Sequence, residues 1–325
     1  MRAGYNIPVL LERFKKGQVS AAARLITIIE NGGIDAEKVL DGIFHRTSNV
    51  YRVGFTGPPG AGKSSLIYRL TKRFREREKK IGIIAIDPTS PFSGGALLGD
   101  RIRMQALSDD PEVFVRSLAS RGSLGGISNC TDEVTDLMDA FGKDLILIET
   151  VGVGQSELEI AEKAHTVVVI LVPESGDGIQ AMKAGLMEIG DIFVMNKSDH
   201  KDAELAAMEI EDTLKLKKIA DGAWRPRVIL TSAKEDSGTG ELVEVIEEHR
   251  SYLEKSGLFL EKRKQILFSR VKNALMDKME RRLRASEIVK KIMARKMDDV
   301  YEGRLSPFRL VHELEKTVTM DGESK

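Results

Sequence analysis

The stretch "GPPGAGKSS" (57–65) gathers three glycines, a lysine and two adjacent hydroxyls directly after an apolar run. Gly57, Pro58, Pro59, Gly60, Ala61, Gly62, Lys63 and Ser64 match G-x-x-x-x-G-K-[ST], with Ser65 immediately behind. Glycines let a backbone curl until several N–H groups face one anion, and a helix N-terminus adds a favourable dipole. In that pattern Lys63 reaches the β- and γ-phosphates of a nucleoside triphosphate, and the Ser64 hydroxyl meets Mg2+. An apolar run ending at Thr56 and an amphipathic stretch opening near Lys63 supply the strand-loop-helix setting the motif requires. The first chemistry to expect is phosphate binding.

A second group selects the base. "FVMNKSDH" (193–200) sets Asn196, Lys197, Ser198 and Asp199 at the end of another apolar run. A carboxylate at Asp199 accepts hydrogen bonds from N1 and N2 of guanine, whereas adenine offers no such pair and would leave it unpaired. Asn196 can brace the loop, and the stem of Lys197 can cover the ring face. "ILTSAK" (229–234) closes a further run, where the Ala233 N–H can donate to guanine O6. Together these predict GTP rather than ATP.

Three carboxylates are candidates for the metal. Asp87 ends one apolar run, Asp100 follows a Gly- and Pro-rich loop, and Glu149 ends the run "LILIE". Mg2+ beside phosphates takes few protein oxygens and keeps several waters. The bland alternatives are a turn carboxylate for Asp87, a helix cap for Asp100 and plain surface exposure for Glu149. Arg101 and Arg103 either reach phosphate or form a solvated basic turn. For the residue that positions the attacking water, Asp87 is the first candidate and Gln155 the second; Gln155 serves equally well as a polar turn residue. Gly152 can approach the γ-phosphate, and with Gly154 it lets "VGVGQSE" rearrange when that phosphate leaves.

These groups need a scaffold that brings strand ends together. Runs at 51–56, 81–87, 113–117, 145–150, 166–173, 191–196 and 227–231 are mostly continuous in apolar residues, the pattern of parallel strands covered on both faces. Segments of helical length separate most of them, so the expected fold is α/β: a mostly parallel, doubly wound sheet whose ligands lie beyond the carboxyl ends of the strands. The expected organisation is an N-terminal helical segment (1–48), a P-loop GTPase domain (49–256) and a helical C-terminal extension (257–325). Residues 8–30 read as one or two amphipathic helices, and Pro307 opens a last short one. In the extension, Leu267, Val271, Leu275, Met279 and Leu283 recur every four residues. That row packs either on its own sheet or on another subunit.

Composition narrows the partners. Lys plus Arg and Asp plus Glu number 50 each, so no charge excess points to nucleic acid or an anionic membrane. No apolar run approaches the roughly 20 residues a membrane helix needs. Nor does the N-terminus carry a signal-peptide pattern, and the expected location is the cytoplasm. A single cysteine, Cys130, excludes an intrachain disulfide and reads as a small buried filler. His45, His165, His200, His249 and His312 are dispersed and form no metal-ligand pattern.

The runs "GPPGAGKSSL", "IDPTSPFSGGALLGDRIRM", "GSLGGIS", "ETVGVGQSE", "PESGDGIQAMKAGLMEIGDIFVMNKSD" and "LTSA" resemble the GTPases associated with methylmalonyl-CoA mutase, the MeaB/ArgK group. The leading "KGQVSAAARLITIIENG" also resembles that family's N-terminal helix, whereas the stretch beyond Gly257 matches loosely, at "RLSPFRL". Ser198 within N-K-S-D and Glu174 in "PESGD" are the small departures. The resemblance implies a slow, Mg2+-dependent GTPase stimulated by its partner, an adenosylcobalamin-dependent acyl-CoA mutase. It would gate cofactor loading and protect the working enzyme, and would dimerise through its C-terminal arm. The adenosylcobalamin would be held by the mutase or by a cobalamin adenosyltransferase, not by this chain. Residues 57–65, Asp199 and Ser232, Ala233 and Lys234 would bind the nucleotide. Asp87, Asp100 and Glu149 would be the magnesium and switch acids, and Arg103 a stabiliser of charge during hydrolysis. Residues 173–185 would report nucleotide state to the mutase. The competing readings are a kinase linked to amino-acid transport, a nickel-delivery GTPase, and a scaffold whose hydrolysis is incidental.

Overall fold

The computed structural model describes residues 6–87, 107, 109–119, 130–150, 156–173 and 185–322, the side chains of 87, 156 and 317–322 apart. It divides into two compact units, 1–266 and 267–325.

The first unit is built on a seven-stranded sheet: β1 (Tyr51–Thr56), β2 (Ile81–Asp87), β3 (Val113–Ala119), β4 (Leu145–Glu149), β5 (Thr166–Leu171), β6 (Ile192–Asn196) and β7 (Arg227–Thr231). The order is β3-β2-β4-β1-β5-β6-β7 and every pairing is parallel. Strands β1, β4, β5 and β6 are buried along their whole length, as continuous apolar runs require when helices cover both faces. Each large core side chain withdrawn from water, such as Phe55 or Leu147, contributes about 1.5–3 kcal/mol. Because all strands run one way, the carboxyl ends of β1, β4, β6 and β7 lie at one edge.

On one face, α4 (Lys63–Glu76) buries Leu66, Ile67, Leu70 and Phe74, an i, i+1, i+4, i+8 stripe, and packs against α7 (Thr239–Lys255). On the other lie α5 (Thr131–Ala140) and three N-terminal helices, α1 (Ile7–Lys15), α2 (Val19–Asn31) and α3 (Gly33–Phe44). The third of these is more than the one or two helices expected over residues 8–30. Gly32 and Gly33 adopt positive φ, and the chain turns there into a new helix rather than a loop. Helix α6 (Ala203–Lys215) lies beside β6 and β7.

At the opposite edge of the sheet from the strand ends, Arg52 is 1% exposed and bonds Asp132 Oδ1 at 3.0 Å and Asp136 Oδ1 at 3.1 Å. The first turns of α8 (Leu258–Ala285) join this cluster: Phe259 stacks on His165 at 4.4 Å, and Lys262 Nζ donates to His165 O at 2.7 Å.

The second unit continues α8 from Leu267 and adds α9 (Glu287–Tyr301) and α10 (Pro307–Gly322), which pack on one another. Helix α10 runs 16 residues, so the short final helix expected from the sequence is a full-length one. Leu267 is half-buried, whereas Val271, Leu275, Met279 and Leu283 of the α8 row are exposed among the described residues.

Candidate nucleotide site

The loop between β1 and α4 is shaped by glycines at two places where no other residue fits. Gly57 has φ +135°, and a Cβ there would stand 2.0 Å from the carbonyl oxygen of Ile170. Gly62 has φ +87°, and its Cβ would meet Asn196 Nδ2 at 2.4 Å. Lys63 and Ser64 open α4 and are buried. The Lys63 ammonium donates to Gly57 O at 2.9 Å and Pro58 O at 3.1 Å, so the loop's own carbonyls hold the charge that phosphates would take over.

Strand β4 lies beside β1, in register Phe55↔Glu149, which sets its terminal acid next to the phosphate loop. Ser64 Oγ donates to Glu149 Oε1 at 2.5 Å, and Glu149 is 8% exposed. The surface reading of Glu149 is thereby corrected: the parallel neighbour relation buries it. A hydroxyl and a carboxylate in contact are the hard oxygen donors that Mg2+ prefers, so the pair fits that ion. The expectations placed on Asp100, Arg103, Gly152 and Gln155, on the side chain of Asp87 and on segment 174–184 lie outside the described residues.

Asn196, 2% exposed, joins the phosphate end to the base end. Its Nδ2 donates to Ala61 O at 2.7 Å, while its Oδ1 accepts from Thr231 Oγ1 at 3.1 Å and from Ala233 N–H at 3.2 Å. The Ala233 N–H expected to meet guanine O6 is therefore already engaged by Asn196. Lys197 takes φ +60°, and Ser198 N–H returns to Thr231 O at 2.9 Å, which folds the N-K-S-D turn against the end of β7. Ser232 Oγ donates to Asp199 Oδ1 at 2.8 Å. That bond, followed by a backbone N–H, holds the Asp199 carboxyl below the usual range, so it stays an acceptor. Pro59, Gly60 and Ser65 sit within the same loop and first turn, and Lys234 within the loop after β7.

Sequence reasoning passed over one acid. Glu157, in the short helix Ser156–Glu159, is 6% exposed, and its Oε1 has no hydrogen-bond partner among the described residues. Burial pushes its carboxyl up, and the charge of Lys63 pulls it back. Spacing alone does not separate it from Glu159 and Glu162; only the fold shows which of the three is buried.

A parallel sheet whose first strand runs through a glycine-shaped loop into a helix agrees with what comparison with known proteins finds. The family model described as "Methylmalonyl Co-A mutase-associated GTPase MeaB" matches residues 22–288. The chain belongs to the MeaB family. A Pyrococcus abyssi protein provisionally named a GTPase is 46% identical over 301 residues, 90% of this chain and 93% of that one. A Caenorhabditis elegans protein, "Methylmalonic aciduria type A homolog, mitochondrial", is 32% identical over 325 residues, 93% of this chain and 80% of that one. A crystal structure titled as an LAO/AO transport system kinase superposes with TM-score 0.74 at 26% identity, covering 98% of this chain and 99% of the other. With family and P-loop fold both in place, this MeaB family member is a GTPase. Among the described residues, no helix is long and apolar enough to cross a membrane.

Proposed function

We propose that the chain hydrolyses GTP to GDP and phosphate with Mg2+, and that the cycle gates adenosylcobalamin loading onto an acyl-CoA mutase and protects that enzyme. The observation that supports this most directly is the hub at Asn196, which links the phosphate loop, the N-K-S-D turn and the S-A-K loop in one buried set of bonds. The mutase comes from the family description, and methylmalonyl-CoA mutase is the default among acyl-CoA mutases. Ser64 and Glu149 would hold Mg2+, with Asp87 and Asp100 as further acids; bound there, the ion would neutralise charge building on the phosphate oxygens. Lys63 and the loop N–H groups stabilise that charge as water attacks in line, with Asp87 or Gln155 positioning the water and Arg103 assisting. Gly152 would sense the γ-phosphate, and segment 173–185 would carry the signal outward. Cobalamin stays with the mutase or a cobalamin adenosyltransferase. The exposed row on α8 would join two copies into a homodimer, and the working location would be the cytoplasm.

Lys63→Ala should reduce GTP hydrolysis by at least about two orders of magnitude, the scale of losing one charge stabiliser; unchanged hydrolysis would end this reading of the site. The mutase role is tested by turnover of the mutase with and without this chain, under GTP and under a non-hydrolysable analogue. Equal inactivation in all arms would remove it. One second reading has a specific support, the transport-system-kinase title of the superposing crystal structure. It predicts label from γ-labelled GTP on an acceptor protein, whereas the GTPase reading predicts label in free phosphate alone.

A further inference from the structure

Helix α4, which opens with the phosphate-binding lysine, also reaches the base loop through a side chain that no sequence motif covers. Arg69 Nε donates to Ala233 O at 3.0 Å, and its Nη2 donates to Lys234 O at 3.2 Å. One turn further, Arg73 Nη2 meets Asp236 Oδ2 at 3.2 Å, and Ser232 and Ser237 close the loop by exchanging N–H···O bonds of 3.0 and 3.1 Å. A guanidinium is planar with its donors in a fixed fork, so it can hold two successive carbonyls at once, which an ammonium on a flexible stem cannot. Each peptide unit is planar and trans, so fixing a carbonyl also fixes the N–H on its far side. The Lys234 carbonyl shares its peptide with the Glu235 N–H, which donates to Ser232 Oγ at 3.3 Å. Ser232 Oγ in turn donates to Asp199 Oδ1 at 2.8 Å. An unbroken series of bonds runs from Arg69 through one peptide and one hydroxyl to the carboxylate that would read guanine.

We infer that Arg69 is a positioning residue for guanine recognition: it aims the Asp199 carboxylate through the Lys234–Glu235 peptide and Ser232. This rests on the assignment of Asp199 to the guanine N1 and N2 donors. Arg69→Ala and Arg69→Lys are to be compared with the unaltered chain for affinity to GDP, to IDP, which lacks the N2 amine, and to inorganic tripolyphosphate. Arg69→Lys keeps the charge and the helix, which guards against a variant that fails to fold. The expected result is a GDP-to-IDP preference reduced roughly tenfold in Arg69→Ala, the factor that about 1.4 kcal/mol supplies. Arg69→Lys should fall between, and tripolyphosphate affinity should stay within about twofold, because the phosphate loop is untouched. An unmoved GDP-to-IDP preference, or tripolyphosphate affinity falling in step with GDP, overturns the inference. Asp199→Asn is the parallel arm. If it collapses the preference while Arg69→Ala does not, only the role of Arg69 fails; if it also leaves the preference intact, the guanine site itself fails.

Discussion

Replacing Asn196 by Ala removes three buried hydrogen bonds, to Ala61 O, Thr231 Oγ1 and Ala233 N–H. A neutral hydrogen bond contributes a net 0.5–1.5 kcal/mol, so the three together are worth about 3 kcal/mol. All three are made between groups of the chain itself, so the loss appears first as stability, read from urea unfolding of the protein stripped of nucleotide. The same bonds hold the phosphate loop and the S-A-K loop at their working separation. Nucleotide binding must then restore that separation itself, which caps the loss of GDP affinity at about two orders of magnitude. Calorimetric titration with GDP reads it. Asn196→Asp refines the argument, because it keeps an acceptor for Thr231 and Ala233 but sets a carboxylate oxygen against the Ala61 carbonyl. That variant should lose tripolyphosphate affinity more than Asn196→Ala does. The reasoning fails if Asn196→Ala unfolds at the wild-type urea midpoint and binds GDP within about threefold of wild type, since three buried polar groups cannot be orphaned without cost.

Other expectations are briefer. Gly62→Ala forces a Cβ to 2.4 Å from Asn196 Nδ2 at φ +87°, so GDP affinity should drop at least about tenfold while the chain still folds; calorimetry checks it. Asp199→Asn replaces one acceptor oxygen by a donor amide, and should lose GTP in competition assays while gaining xanthosine triphosphate, whose C2 carbonyl accepts from that amide at the position where guanine N2 donates to the carboxylate. His249 is held by burial at about 4, down from 6.5, despite Asp191 nearby, and its Nδ1 lies 2.7 Å from Thr166 Oγ1. The unfolded chain therefore binds a proton that the folded one does not. Stability from this group is present above pH 6.5 and falls as pH drops toward 4, by up to about 3 kcal/mol. Unfolding curves across that window should flatten in His249→Gln.

Much of the scaffold was legible because parallel strands buried on both faces leave an unbroken apolar run, a purely local mark. The seven runs read from the sequence are the seven strands of the sheet, with ends moved by a few residues: β3 gains Leu118 and Ala119, and β4 stops at Glu149 rather than Thr150. The missing third N-terminal helix shows the limit of local marks. Gly32 and Gly33 are helix breakers by propensity, yet α2 and α3 meet there because each buries its own apolar face, Leu25 and Ile29 on one, Val39 and Ile43 on the other.

The sequence by itself determined the candidate nucleotide groups, because phosphate and guanine recognition would need particular residues a few positions apart on one turn: Lys63 and Ser64 after the glycines, Asp199 after Asn196. Only the tertiary structure decided which distant turns meet. Strand order β2-β4-β1-β5 sets Glu149 against Ser64, 85 residues earlier; Asn196 spans 135 residues to Ala61; and Arg69 reaches Ala233 and Lys234 across 164 and 165. No periodicity encodes such neighbours. Strand order follows from how each crossover covers a face of the sheet, and that is settled by the packing of the whole core.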